Sequence, residues 1–199
     1  MSMQDERDSG PSCLGRQQAL LEESCFAGHA RSCDALGTYW RDRAEYSDDF
    51  DDRRQAACYY RLACDDGFAE SCLAYLSVGS AFLGGQKRSQ VYAERACEDG
   101  LAAGCEFLAF HWEHGWQLFS VREKRVDLVK AREYYSRACE AGFERSCYRL
   151  GIMWRDGQGG PVDLAKARQY FERLCSYGKS RSQACEALVE LGVPNTDPI

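Results

Sequence analysis

Ten of the twelve cysteines in this chain of 199 residues fall into five local pairs, and that pairing constrains the fold more than any other feature. Four pairs share one spacing, Cys25/Cys33, Cys64/Cys72, Cys97/Cys105 and Cys139/Cys147; the fifth, Cys175/Cys185, is longer by two residues. Successive pairs begin 39, 33, 42 and 36 residues apart, the period of a helix–turn–helix repeat. Other residues keep the same phase. A glycine follows each first cysteine by three positions: Gly28, Gly67, Gly100, Gly142 and Gly178. Alanine precedes it at Ala63, Ala96 and Ala138, and Leu20, Tyr59, Tyr92, Tyr134 and Tyr170 stand one helical turn earlier. After the second cysteine come Leu36, Tyr75, Leu108 and Leu150, then Trp40, Trp112 and Trp154.

The fourth unit shows the local physics. Ala131, Tyr134, Tyr135 and Ala138 recur at helical spacing and make an apolar stripe. Gly142 is placed to take the left-handed conformation that ends a helix, and Ser146 stands where a second helix would be capped. Leu150 and Trp154, four apart, share one face of that second helix. The run Gly157-Gln-Gly-Gly-Pro161 then breaks it. The tyrosine row is assigned to the inter-repeat core. A lone helical hairpin cannot bury both of its apolar faces, so the units must stack, and the expected fold is an all-α, α/α solenoid of about five such hairpins. Its domain spans residues 14–192, with repeats at about 14–48, 49–84, 85–127, 128–161 and 162–192. A polar segment, 1–13, precedes it and a tail, 193–199, follows.

Each first cysteine sits at the end of one helix and each second at the start of the next, across a tight turn. Antiparallel packing brings such positions within bridging distance. The expectation is five intra-repeat disulfides, each contributing roughly 2–3 kcal/mol in the chain-entropy account. Zinc is the other use of paired cysteines, but the chain has no C-x-x-C. Cys13 and Cys58 fall outside the pattern and either bridge each other or stay reduced.

A formal charge of −6 argues against a broad nucleic-acid-binding face. No apolar run reaches the roughly 20 residues that cross a bilayer, and the opening MSMQDERDSGPS shows no secretory signal. The acids of 42–52 and the bases of 122–130 read as solvated loop surface.

Two stretches carry a family resemblance: DLAKARQYFERLC over 163–175 and RLGIMWRDGQGG over 149–160. With the paired cysteines, they make the chain resemble the SEL-like repeat (SLR) family, relatives of the tetratricopeptide repeats. The cysteine pairing is similar to that of the Helicobacter cysteine-rich proteins, described as penicillin-binding with weak β-lactamase activity. It is similar too to the SLR-type assembly factor of cytochrome c oxidase. The second repeat departs from the pattern, with CLAYLSVG over 72–79. The family resemblance implies an adaptor role, with a protein as partner.

Candidate sites are few. His111 and His114 flank Trp112 at a spacing that suits a metal or haem contact, but no further ligand is placed by motif. One S-x-x-K stretch, Ser176 to Lys179, is the sole hint of a penicillin-enzyme nucleophile, and neither S-D-N nor K-T-G accompanies it. The expectation is therefore no enzyme, catalytic residue, metal or cofactor. The longest inter-repeat segment, 115–130, carries Trp116 and Phe119 with Arg122, Lys124 and Arg125. Aromatic anchors beside a basic rim make a docking feature. Trp116, Phe119, His111, His114, Arg122 and Arg125 are the candidate partner-binding residues, alongside the concave face. The reading is a monomer that binds another protein, without nucleic acid or membrane insertion. Alternatives are a β-lactam binder or weak β-lactamase, and a haem- or copper-handling assembly factor. Disulfides imply an oxidising compartment: bacterial periplasm, the secreted milieu or the mitochondrial intermembrane space.

Overall fold

The structure, a computed structural model, describes residues 19–47, 49–78, 85–115, 125–177 and 181–192. These residues form ten helices that alternate along the chain as the two arms of successive hairpins. They are α1 Ala19–Phe26, α2 Ala30–Ser47, α3 Phe50–Asp65, α4 Ala69–Val78, α5 Gly85–Glu98, α6 Ala102–His114, α7 Leu128–Glu140, α8 Glu144–Asp156, α9 Leu164–Tyr177 and α10 Arg181–Glu190. The chain is an all-α repeat structure. It divides into two compact units, Met1–Leu83 and Gly84–Ile199.

The hairpin turn is the same device in several of the units. At the end of α7, the Phe143 N–H donates to the Ala138 carbonyl at 2.9 Å and the Gly142 N–H to the Cys139 carbonyl at 3.0 Å. This pair of bonds satisfies the last helical carbonyls and requires a left-handed residue between them. Gly142 supplies it with φ 89°. Phe68 and Gly67 do the same for Ala63 and Cys64, as do Leu101 and Gly100 for Ala96 and Cys97.

The turn leaves the two cysteines of each hairpin facing each other, and all five expected pairs are disulfides. Cys25 is bonded to Cys33, Cys64 to Cys72, Cys97 to Cys105, Cys139 to Cys147 and Cys175 to Cys185, with Cα atoms 4.6–5.0 Å apart. The second cysteine stands near the start of its helix, as expected. Cys33, Cys72, Cys105 and Cys147 lie about one turn inside α2, α4, α6 and α8, and Cys185 lies one residue deeper in α10. Helical side chains lean toward the N-terminus, so a residue one turn in reaches back to the end of the preceding helix. Cys33 and Cys72 are completely buried. Cys58 is buried in α3, and Cys13 lies outside the described residues.

Ser146 does not cap α8. The helix begins earlier, at Glu144, after Phe143, and no side chain caps it. Ser146 is instead fully buried within the first turn. Its counterpart in α6, Gly104, shows why this position is small: a Cβ there would lie 2.8 Å from the Ala96 Cβ and from the Cys97 nitrogen. The second helix of the hairpin crosses the end of the first at this point.

The tyrosine row only partly enters the core. Tyr59 and Tyr92 are buried, Tyr134 and Tyr170 are half-buried, and Leu20 is exposed. In three first helices an enclosed aromatic is the next residue: Tyr60, Tyr135 and Phe171. Two of these slots are cut by the glycine after Leu36 or Leu150. A Cβ on Gly37 would stand 2.6 Å from the Tyr60 ring, and one on Gly151 2.6 Å from the Phe171 ring. In the second unit, Phe171 joins Tyr135, Leu150, Met153 and Leu174 in one apolar cluster. Leu150 is buried there as the helical spacing requires, while Trp154 packs at the rim.

Two further expectations change. The acids of 42–52 are not a solvated loop. Most of them extend α2 and start α3, with Asp49 capping the latter by accepting the Asp51 N–H. Asp52 is 4% exposed, held by the Arg43 Nε at 3.0 Å and the Ser47 hydroxyl at 3.0 Å. A carboxylate tolerates that burial because both partners stay with it. In the second unit, the tryptophan positions are sites of cation stacking. Lys130 sits 4.2 Å from the Trp112 ring centre, and Trp154 has Arg132 at 3.3 Å and Lys166 at 4.0 Å. Lys130, read with the bases of 122–130 as solvated loop surface, therefore lies in α7 and reaches back to the preceding hairpin.

Candidate partner-binding site

The second half of α6 is where aromatic and titratable side chains gather on one helix face. Phe107, Phe110, His111 and His114 are spaced by three and four, so a helix lines them up. The ring centres of Phe107 and His111 are 4.3 Å apart, and those of Phe110 and His114 are 4.2 Å apart in a stacked pair. Phe110 meets His111 edge-on at 5.7 Å. The group is continuous, and Phe110 remains 46% exposed. Burial, with the nearby charge of His114, holds the His111 imidazole below its ordinary pKa, which favours the neutral ring. The His114 Nδ1 lies 3.0 Å from the Phe110 carbonyl, which assigns the neutral ring's proton to Nδ1 and leaves Nε2 as an acceptor.

Behind this face is a polar clamp. Glu113 is nearly buried (8% side-chain exposure) and is held from two directions. The Tyr135 hydroxyl of α7 donates to its Oε2 at 2.8 Å, and the Arg149 guanidinium of α8 pairs with its Oε1. Burial and the charge of Glu106 push the Tyr135 phenol up to about 12, so it keeps the proton that it donates. One carboxylate thus ties three helices together beside the aromatic–imidazole surface. Such a clamp fixes the presenting helix and lowers the ordering cost of binding.

Of the residues read from the sequence as partner-binding, His111 and His114 lie in this cluster. Arg125 is exposed at the far end of the inter-repeat segment. Trp116, Phe119 and Arg122 lie outside the described residues, as does Lys124. Sequence reasoning missed Phe107 and Phe110, although the pattern F-x-x-F-H-x-x-H was available as a signal. It also missed Glu113, Tyr135 and Arg149, which no motif marks as a clamp. The two histidines are engaged with phenylalanine rings. Among the described residues, no three of His, Cys, Asp and Glu form a group that would hold a metal ion. Ser176 donates its hydroxyl to the Glu172 carbonyl one turn back in α9; Lys179 lies outside the described residues.

The depressed His111 pKa makes a pH prediction. The unfolded chain takes up a proton as pH falls below about 6.5 while the folded one resists. His111 therefore contributes its stability in full above that pH and loses it as pH falls through the folded value. Thermal melts between about pH 7 and pH 5 should show a steeper fall for the native chain than for His111→Gln.

The hairpins, their stacking and their stapling define an α/α repeat protein of the SLR class. The Sel1 repeat matches residues 50–68, 104–143 and 145–178, so the chain carries Sel1 repeats. No curated protein is significantly similar to it in sequence. Among solved structures it is similar to c5321, a protective antigen of uropathogenic Escherichia coli strains displaying an SLR fold. There the TM-score is 0.70 at 18% identity, over 92% of this chain and 38% of that one. A Sel1 repeat protein from Oxalobacter formigenes superposes with TM-score 0.64 at 21% identity, over 87% of this chain and 48% of that one. These two likenesses concern the fold, and the chain spans less than half of either protein. Helicobacter pylori cysteine rich protein B is 29% identical with TM-score 0.51, over 68% of this chain and 94% of that one. Five disulfides fit an oxidising compartment. No described helix is long and apolar enough to cross a membrane.

Proposed function

We propose that this chain is a non-enzymatic adaptor that grips a protein partner through the aromatic–histidine face of α6 and the adjoining segment 115–130. The observation that carries the reading is the Phe107–Phe110–His111–His114 cluster. It offers exposed aromatic surface on a helix that Glu113 locks to its neighbours. Aromatic side chains on a rigid element are the usual anchors of protein interfaces. Sel1-like repeats, as a class, mediate such contacts. Trp116 and Phe119 would extend the anchor set along the chain, with Arg122 and Arg125 favouring an acidic partner. We infer a setting that keeps disulfides oxidised, namely the bacterial periplasm, the secreted milieu or the mitochondrial intermembrane space.

The test begins with a partner captured from the native organism by the intact, oxidised chain and identified by mass spectrometry. Phe110→Ala with His114→Ala, and separately Trp116→Ala with Phe119→Ala, should each weaken its binding at least tenfold, or about 1.4 kcal/mol. Helical circular dichroism should be retained in both. Full affinity in both double variants would remove α6 and its neighbouring segment from the interface.

A further inference from the structure

One of the five staples is electrostatically unlike its neighbour. Arg173 projects from α9, at the repeat position two residues before Cys175. Its Nη2 approaches both sulfurs of the preceding hairpin's bridge, at 3.2 Å from Cys147 Sγ and 3.6 Å from Cys139 Sγ. The residue in the same phase one repeat earlier, Arg137, behaves differently. Its Nη2 donates to the Cys97 carbonyl at 3.2 Å, a backbone oxygen rather than a sulfur. Adjacent repeats thus carry the same bridge and the same arginine, with the cation aimed at different atoms.

The chemistry follows from what a guanidinium does to the two redox states. A disulfide sulfur is a weak acceptor, whereas a thiolate is a full anion. A cation at 3.2 Å therefore stabilises the reduced state more than the oxidised one. Cys147 also lies in the first turn of α8, where the helix dipole favours negative charge. Both effects act on the same sulfur.

We propose that Cys139–Cys147 is a site of thiol–disulfide exchange, with Arg173 stabilising the departing Cys147 sulfur. An incoming low-molecular-mass thiolate attacks Cys139 Sγ and forms a mixed disulfide. The Cys139–Cys147 bond breaks, and its electron pair leaves on Cys147 Sγ beside Arg173. A second thiolate attacks the sulfur of the first, releasing the oxidised thiol and a Cys139 thiolate. Two thiols are oxidised to one disulfide and one bridge is reduced to two thiolates. Cys139 and Cys147 are 3% and 1% exposed, so attack proceeds through local opening of the hairpin. Burial sets the rate of exchange; the charge at the sulfurs sets the equilibrium. The inference is independent of the partner-binding role proposed for α6.

The intact oxidised chain is equilibrated in glutathione buffers of graded potential and quenched in acid. Each bridge is then scored by differential alkylation and peptide mass spectrometry. Cys139–Cys147 should open with an equilibrium constant about tenfold larger than that of Cys97–Cys105, a separation of about 30 mV for a two-electron couple. Arg173→Met should move Cys139–Cys147 down to the position of Cys97–Cys105 and leave the latter in place. Coincident opening of the two bridges in the native chain would overturn the proposal, and that comparison needs no variant to fold. An unshifted Cys139–Cys147 in Arg173→Met would overturn it equally.

Discussion

Replacing Phe171 by alanine is expected to lower the stability of the second unit by about 3–5 kcal/mol. The ring is fully buried and lies against Gly151 of the preceding hairpin, so it is the part of α9 that docks one repeat onto the next. Its removal leaves a cavity in the cluster that holds Leu150, Met153 and Leu174. The complementary change adds bulk instead of removing it. Gly151→Ala places a Cβ 2.6 Å from the ring, and overpacking of this kind costs about 1–3 kcal/mol. In a Phe171→Ala background the added methyl has room, so the double variant should be more stable than the sum of the single effects implies. A coupling of about 0.5–3 kcal/mol in denaturant melts would measure the contact. Strict additivity would show that the glycine serves some purpose other than admitting the ring.

Complete reduction should have a still larger effect. The hairpins are closed by bridges between residues eight apart, or ten apart for Cys175–Cys185, and each bridge contributes roughly 2–3 kcal/mol. The five together are comparable with the whole net stability of a typical domain, about 5–15 kcal/mol. Under strong reductant at 37 °C, the expected outcome is loss of most of the helical circular dichroism, recovered on reoxidation. A reduced chain that melts at the same temperature as the oxidised one would mean that packing alone holds the repeats.

The hairpin was legible from the residues because its determinants are local. Gly142 has to be a glycine, since the Phe143 and Gly142 N–H groups reach back to Ala138 and Cys139 only across a left-handed residue. Cysteines on either side of that turn then meet with little freedom left. The choice between neighbouring aromatics was not legible in this way. Tyr134 and Tyr135 are alike as residues, and the stripe of α7 includes both. Only the position of the preceding hairpin makes Tyr135 the enclosed one and leaves Tyr134 half-buried. Asp52 is a similar case. In sequence it is one acid among many, and its burial depends on Arg43 and Ser47 arriving from α2.

The same distinction governs the candidate sites. His111 and His114 stood out as rare residues at helical spacing, yet Phe107 and Phe110 make them a surface, and Glu113 owes its place to Tyr135 and Arg149 from two other helices. Arg137 and Arg173 occupy one phase of the repeat and differ in the atom each meets. The sequence by itself determined the repeat, its turns, its paired helices and the partners of its ten paired cysteines, because those features depend on contacts within about ten residues. Tertiary structure alone decided which aromatic is buried, which carboxylate is clamped and which bridge faces a cation. Those outcomes depend on how one hairpin lies against the next, a geometry set by the summed packing of many side chains and recorded in no single spacing.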